Sequence, residues 1–187
     1  MSRDLLRPAA VLTLIAGGLR PDRASILLLQ RAATLRHHPG QVAFPGGRTD
    51  GNETPTEAAL REAAEETGLD PAVVDVIAES PALPMPVSGH LVTPVLARCA
   101  RPLPIRAVDP AETEAVFWLP VRDLVDPANR FTSVFAHGGE VSRGPAWLVA
   151  AEGRERLIWG FTARLLDDLL ERFGWTASWD HSRELPL

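Results

Sequence analysis

Residues 54–68 constrain the fold more tightly than any other stretch, because they carry a complete helix signature inside a chain that otherwise reads as short β-runs. Thr54-Pro55-Thr56-Glu57 supplies a threonine N-cap, proline at the first helical position and a glutamate three residues after the cap. The helix should run to about Thr67 and stop at Gly68. Around it, short apolar and alternating runs predict strands at 11–16, 26–30, 42–44, 73–79, 91–98, 115–119, 131–135 and 147–150. Pro94 is expected to mark an edge or a bulge in its strand. A second helix over 160–173 carries Phe161, Leu165, Leu169 and Phe173 at a repeat of four, so one stripe faces a core. The proline-rich stretches 81–86 and 102–110 read as connecting loops. The pattern is mixed α/β, and 187 residues at 45% hydrophobic content fit one domain over 1–187.

Charge and cysteine content exclude several function classes. A formal net charge of -5 gives no general attraction to nucleic acid or an acidic membrane, and no basic patch stands out in the sequence. Cys99 is the single cysteine, so the chain forms no internal disulfide or cysteine-cluster zinc site, which favours a reducing compartment such as the cytoplasm. Residues 9–19 are apolar and follow Arg3 and Arg7, faintly imitating a secretory signal. They lack a small-x-small cleavage site and lead into a second apolar run, as paired strands do. They are also too short to span a bilayer, which takes about 20 residues.

The chemistry concentrates between Gly47 and Leu69, which read GRTDGNETPTEAALREAAEETGL. Helical geometry puts Glu62, Glu65 and Glu66 on one face. Clustered glutamates on a helix are in general a solvated face, but a divalent cation would turn their repulsion into coordination. Alanines 58, 59 and 63 allow close packing, and Arg61 is placed to pair with Glu57 and Glu65 a turn away on either side. Just upstream, Gly46 and Gly47 are expected to turn the backbone sharply and leave amides or carbonyls free for phosphate or metal.

Gly47, Glu53, Arg61, Glu62, Ala63, Glu65, Glu66, Gly68 and Leu69 resemble the Nudix signature in order and spacing. The resemblance implies an α/β/α sandwich with a mixed central sheet, whose loop-helix-loop binds Mg²⁺ or Mn²⁺ and a diphosphate. It implies Glu62 and Glu66 as principal metal ligands, Glu65 as a further ligand or helper in water activation, and Arg61 and Glu53 as braces of the loop. The general base stays open among Glu62, Glu65 and a carboxylate outside the signature. Glu112 is the candidate for that last role, and Glu112, Glu114 and, after them, Glu140 are candidates for an additional carboxylate at the metal site.

Residues 27–47, LLLQRAATLRHHPGQVAFPGG, resemble the extra motif of the coenzyme A pyrophosphatase branch through Arg31, Arg36, Gly40, Val42, Phe44, Pro45, Gly46 and Gly47. Leu29 and Ala32 stand where that motif carries threonine and serine. Two later stretches, 86–94 and 158–164, are also similar to that branch. The resemblance implies cleavage of coenzyme A or its thioesters to adenosine 3′,5′-bisphosphate and a 4′-phosphopantetheine product. Other nucleoside diphosphate derivatives, or a non-catalytic nucleotide-binding module, are the competing readings. Arg31, Arg36, His37 and His38 supply cations near the glycines, arginine being suited to phosphate by its planar fork. Trp118 and Trp159 are candidate pocket walls, and a homodimer is the default assembly.

Overall fold

The computed structural model describes residues 6–85, 88–137 and 140–187. Its order is β1 (Arg7–Gly17), β2 (Ala24–Arg31), β3 (Val42–Ala43), β4 (Gly46–Arg48), α1 (Pro55–Thr67), β5 (Asp75–Glu79), β6 (Leu83–Met85), β7 (His90–Cys99), β8 (Thr113–Pro120) and α2 (Val121–Val125). The remaining elements are β9 (Arg130–His137), β10 (Glu140–Ala151), β11 (Arg154–Ile158), α3 (Gly160–Arg172) and β12 (Glu184–Pro186). The first apolar run, 9–19, is thus mostly strand, paired with β2 as the sequence indicated.

Eight strands form one mixed sheet with the path β3-β2-β1-β7-β5, while β4, β6 and β8 pair with β1, β7 and β2. Within it β1 and β7 run parallel and the other pairings are antiparallel. Alternation along β1 divides the two faces. Ala10, Leu12 and Leu14 face α1, whose Ala58, Ala59 and Ala63 are fully buried and let the helix lie close. Ile15 faces the other way with Ile26, Leu28 and Phe117, toward a second sheet ordered β11-β10-β9-β12 and toward α3. This is an α/β architecture with a mixed central sheet, and the layer opposite α1 contains strands as well as a helix.

Several boundaries differ from the sequence reading for identifiable reasons. The stretch 81–86 includes strand β6, which pairs with β7 through Leu83↔Val92 and Met85↔His90, so it is not wholly a loop. Pro94 is not on an edge: β7 lies inside the sheet. The pairings of β7 with β5 and β6 involve residues 95–98 and 90–92, so Pro94 sits in the gap between them, and its carbonyl accepts from the Ser80 amide at 2.8 Å. The strand expected over 73–79 starts only at Asp75, because Val73 ends a 3-10 turn over 71–73 that Asp70 caps by accepting from the Ala72 amide. On α3 the buried face is wider than a stripe of four-residue repeats, with Leu166 and Leu170 buried beside Leu165 and Leu169.

Candidate active site

α1 is built as its sequence demands. Thr54 accepts from the Glu57 amide, the Glu57 carboxylate accepts from the Thr54 amide, Pro55 starts the helix, and Gly68 ends it at φ 67°. The glycines before it do not make the sharp turn expected of them; they form β4, extended and paired with β1. A Cβ on Gly46 would lie 2.3 Å from the Ala10 carbonyl oxygen, and one on Gly47 would lie 2.3 Å from Glu62 Oε1. The missing side chains therefore let β1 on one side and the helix carboxylates on the other close onto this backbone. The Gly46 amide is also committed: it donates to Glu66 Oε2 at 2.9 Å.

Arg61 organises the remaining carboxylates. Its Nε donates to Glu53 Oε1 at 2.8 Å, Nη1 to Glu62 Oε1 at 3.0 Å and Glu65 Oε2 at 3.1 Å, and Nη2 to the Arg48 carbonyl at 3.0 Å. The expected pairing with Glu57 is absent, because Glu57 is engaged by the Thr54 cap. The hydrogen bond from Arg61 and the Asp50 amide hold Glu53 below the usual carboxylate range. Burial pushes Glu62 up despite Arg61. Glu66 is pushed up to about 7, first by burial and further by the charges of Glu62 and Glu112, against the Gly46 amide and Arg31. Glu65, at 60% side-chain exposure, turns outward to Arg61.

Glu62 and Glu66 are therefore partly buried, mutually repelling carboxylates, a donor set whose hard oxygen chemistry suits a divalent cation. Among the described residues no three acidic, histidine or cysteine side chains converge as a closed ligand set. Glu65 is held by Arg61 and Glu66 by the Gly46 amide.

Of the other candidates, Arg31 ends β2 at a register irregularity, its Nε buried without a hydrogen-bond partner and its charge acting on Glu66. Glu112 acts on Glu66 too, and its carbonyl accepts from the Ala32 amide at 2.9 Å. Glu114 is drawn instead to Arg154 at 3.1 Å. Arg36 and His37 are exposed, while His38 has φ 54° and its Nδ1 lies 3.0 Å from Gln41 Oε1. The Trp118 indole donates to the Leu103 carbonyl at 3.0 Å and so pins the 102–110 loop. Trp159 packs on Phe135. Cys99 is buried, its thiol pushed up by burial. The Glu140 side chain and residues 86–87 lie outside the described residues.

Sequence reasoning missed Arg156. From β11 this buried side chain donates to Gln30 Oε1, while Gln30 Nε2 donates to the Gly40 carbonyl at 3.1 Å. The second sheet thereby holds the loop that carries Arg36 and His38. No local signal marks a partner 126 residues away in sequence.

A model of the NUDIX domain matches residues 6–137. The chain belongs to the Nudix family. It is 37% identical over 169 residues to an uncharacterised Nudix hydrolase, NudL, of Escherichia coli O6:H1, an alignment covering 90% of this chain and 83% of that one. A NudL of Enterobacter sp. is 36% identical, with 93% and 88% covered. Among solved structures, a Nudix hydrolase of M. smegmatis, RenU, is 31% identical with a TM-score of 0.52, covering 61% of this chain and 70% of that one. A MutT/nudix family protein from Enterococcus faecalis shares the fold at a TM-score of 0.55 and 18% identity, covering 92% and 63%. As a Nudix hydrolase the chain is an enzyme acting on a nucleoside diphosphate derivative, and Nudix hydrolases generally use divalent metals. No helix among the described residues is long and apolar enough to cross a membrane.

Proposed function

We propose that this Nudix enzyme hydrolyses the diphosphate bond of coenzyme A or its thioesters, releasing adenosine 3′,5′-bisphosphate and a 4′-phosphopantetheine product, with 1–187 acting as one domain. The observation that carries the reading is where residues 27–47 fall. The stretch resembling the coenzyme A branch ends β2 with Arg31 charged toward Glu66, and it finishes in Gly46-Gly47 against Glu66 and Glu62. The two departures from that motif bear on packing: Leu29 is 1% exposed and Ala32 5%, so both are core positions rather than ligand contacts.

Glu62 and Glu66, with Glu65 as a further ligand, would hold Mg²⁺ or Mn²⁺, which when bound supplies charge neutralisation at the phosphate oxygens and activation of a water. Arg31, whose charge already acts on Glu66, turns its guanidinium charge to the diphosphate. Arg61 fixes the carboxylates, and Glu62, Glu65 or Glu112 accepts the proton of the attacking water. Water adds to one phosphorus, the bridging P–O bond breaks, and two phosphomonoesters leave.

Product analysis after incubation with Mg²⁺ or Mn²⁺ tests this. Coenzyme A should be cleaved to adenosine 3′,5′-bisphosphate in preference to dephospho-coenzyme A, ADP-ribose and a nucleoside triphosphate. Preference for one of the others would discard the coenzyme A reading.

A further inference from the structure

A group of basic side chains apart from the signature glutamates lies on the far face of β4. Arg7 stands opposite His90 across the parallel β1/β7 ladder, and Arg48 stands opposite Ala9, the next residue of β1 on the same face as Arg7. His38, from the 32–41 loop, completes the group: burial first, and then the charges of Arg7, Arg48 and His38, hold His90 below the usual imidazole range. Among the described residues no ion pair involves Arg7 or Arg48. In a protein of net charge -5, two arginines on one face with no carboxylate partner among the described residues repel one another, and an anion relieves that repulsion.

The position of the group relative to the glutamates matters as much as its charge. Gly46 binds Glu66 through its amide, and Arg48 follows two residues later, about 7 Å along an extended strand. Gly47 between them faces Glu62, so the pleat turns Arg48 to the opposite side. β4 pairs with β1 alone, which leaves its outer edge as the path from one side to the other.

We propose that Arg7, Arg48, His38 and His90 form a second phosphate subsite, taking a phosphomonoester carried on the same ligand as the diphosphate. The subsite rests on the coenzyme A reading and assigns the 3′-phosphate to residues other than Arg31 and Arg36. Arginine forks and imidazole N–H groups give charge-assisted hydrogen bonds to a phosphate dianion.

The test is calorimetric titration of the metal-free protein with adenosine 3′,5′-bisphosphate and with adenosine 5′-monophosphate. The wild type should bind the bisphosphate about tenfold more tightly, one charge-assisted contact's worth. The doubly substituted Arg7→Ala, Arg48→Ala protein should bind the two alike, its fold checked by circular dichroism. In the wild type the His90 ring resonances should shift with the bisphosphate and stay in place with the monophosphate, a readout independent of any variant. Equal affinities in the wild type, or a tenfold gap that survives the double substitution, overturns the subsite. Hydrolysis of coenzyme A by the wild type is scored separately: if the gap is present and coenzyme A is not cleaved, the subsite stands and the substrate reading falls.

Discussion

At Gly47 a single methyl group would occupy the space of a carboxylate, since its carbon would lie 2.3 Å from Glu62 Oε1. Gly47→Ala should therefore displace Glu62 while leaving the core intact, lowering kcat roughly a hundredfold, as a displacement of about 1 Å does; a fully active variant would show that Glu62 does not need its present place. Glu66→Gln should abolish turnover in a protein that still folds, and retained hydrolysis would remove Glu66 from the metal site. The same residue sets a pH dependence. Its carboxyl is raised from 4.5 to about 7, so the folded state binds that proton more tightly than the unfolded chain. Its contribution to stability is complete below about pH 4.5 and is lost as the pH rises through 7. The melting temperature of the metal-free wild type should fall across that window relative to Glu66→Gln; parallel curves would contradict the burial of this charge. The glutamates and Arg61 were legible in the sequence because helical spacing fixes their face. The resemblance had already set Glu53 beside Arg61, but the choice of Glu62 over Glu57 was not legible, because it depends on a cap that had already engaged Glu57.

At the scale of elements, α1 shows how much a local signal can settle. Its cap, first-turn proline, stop glycine and buried alanines were all readable, and each acts within one or two turns. Thr54→Ala should cost about 1 kcal/mol of stability, measurable by denaturant titration, and should lower activity only through the carboxylate face that the helix carries. β4 shows the opposite. Gly-Gly has no strand propensity of its own, and these residues are extended because β1 offers a ladder from Ala9 to Val11. β6 was hidden in the same way by flanking prolines, its pairing supplied by β7.

Across the whole molecule the family-matched region ends at 137, yet the core does not. Trp147, Val149, Ile158 and the α3 leucines bury against Ile26, Leu28, Phe117 and Leu119 of the first sheet. A chain ending at 137 should fail to unfold cooperatively in a thermal melt, having lost that half of its apolar contact. Arg156→Leu should leave the fold in place, speed amide exchange in the 32–41 loop and raise KM roughly tenfold, the effect of losing one charged hydrogen bond, with kcat little changed. Pairing across the two sheets left no mark in the sequence, because Gln30 and Arg156 are each unremarkable in their own strands. The link from Arg156 through Gln30 to Gly40 has a consequence for how relatives diverge. The glutamates of α1 and the strand that steadies the 32–41 loop lie in separate stretches of chain, so a lineage can keep the first while the loop drifts, through changes near 156 that leave the signature untouched.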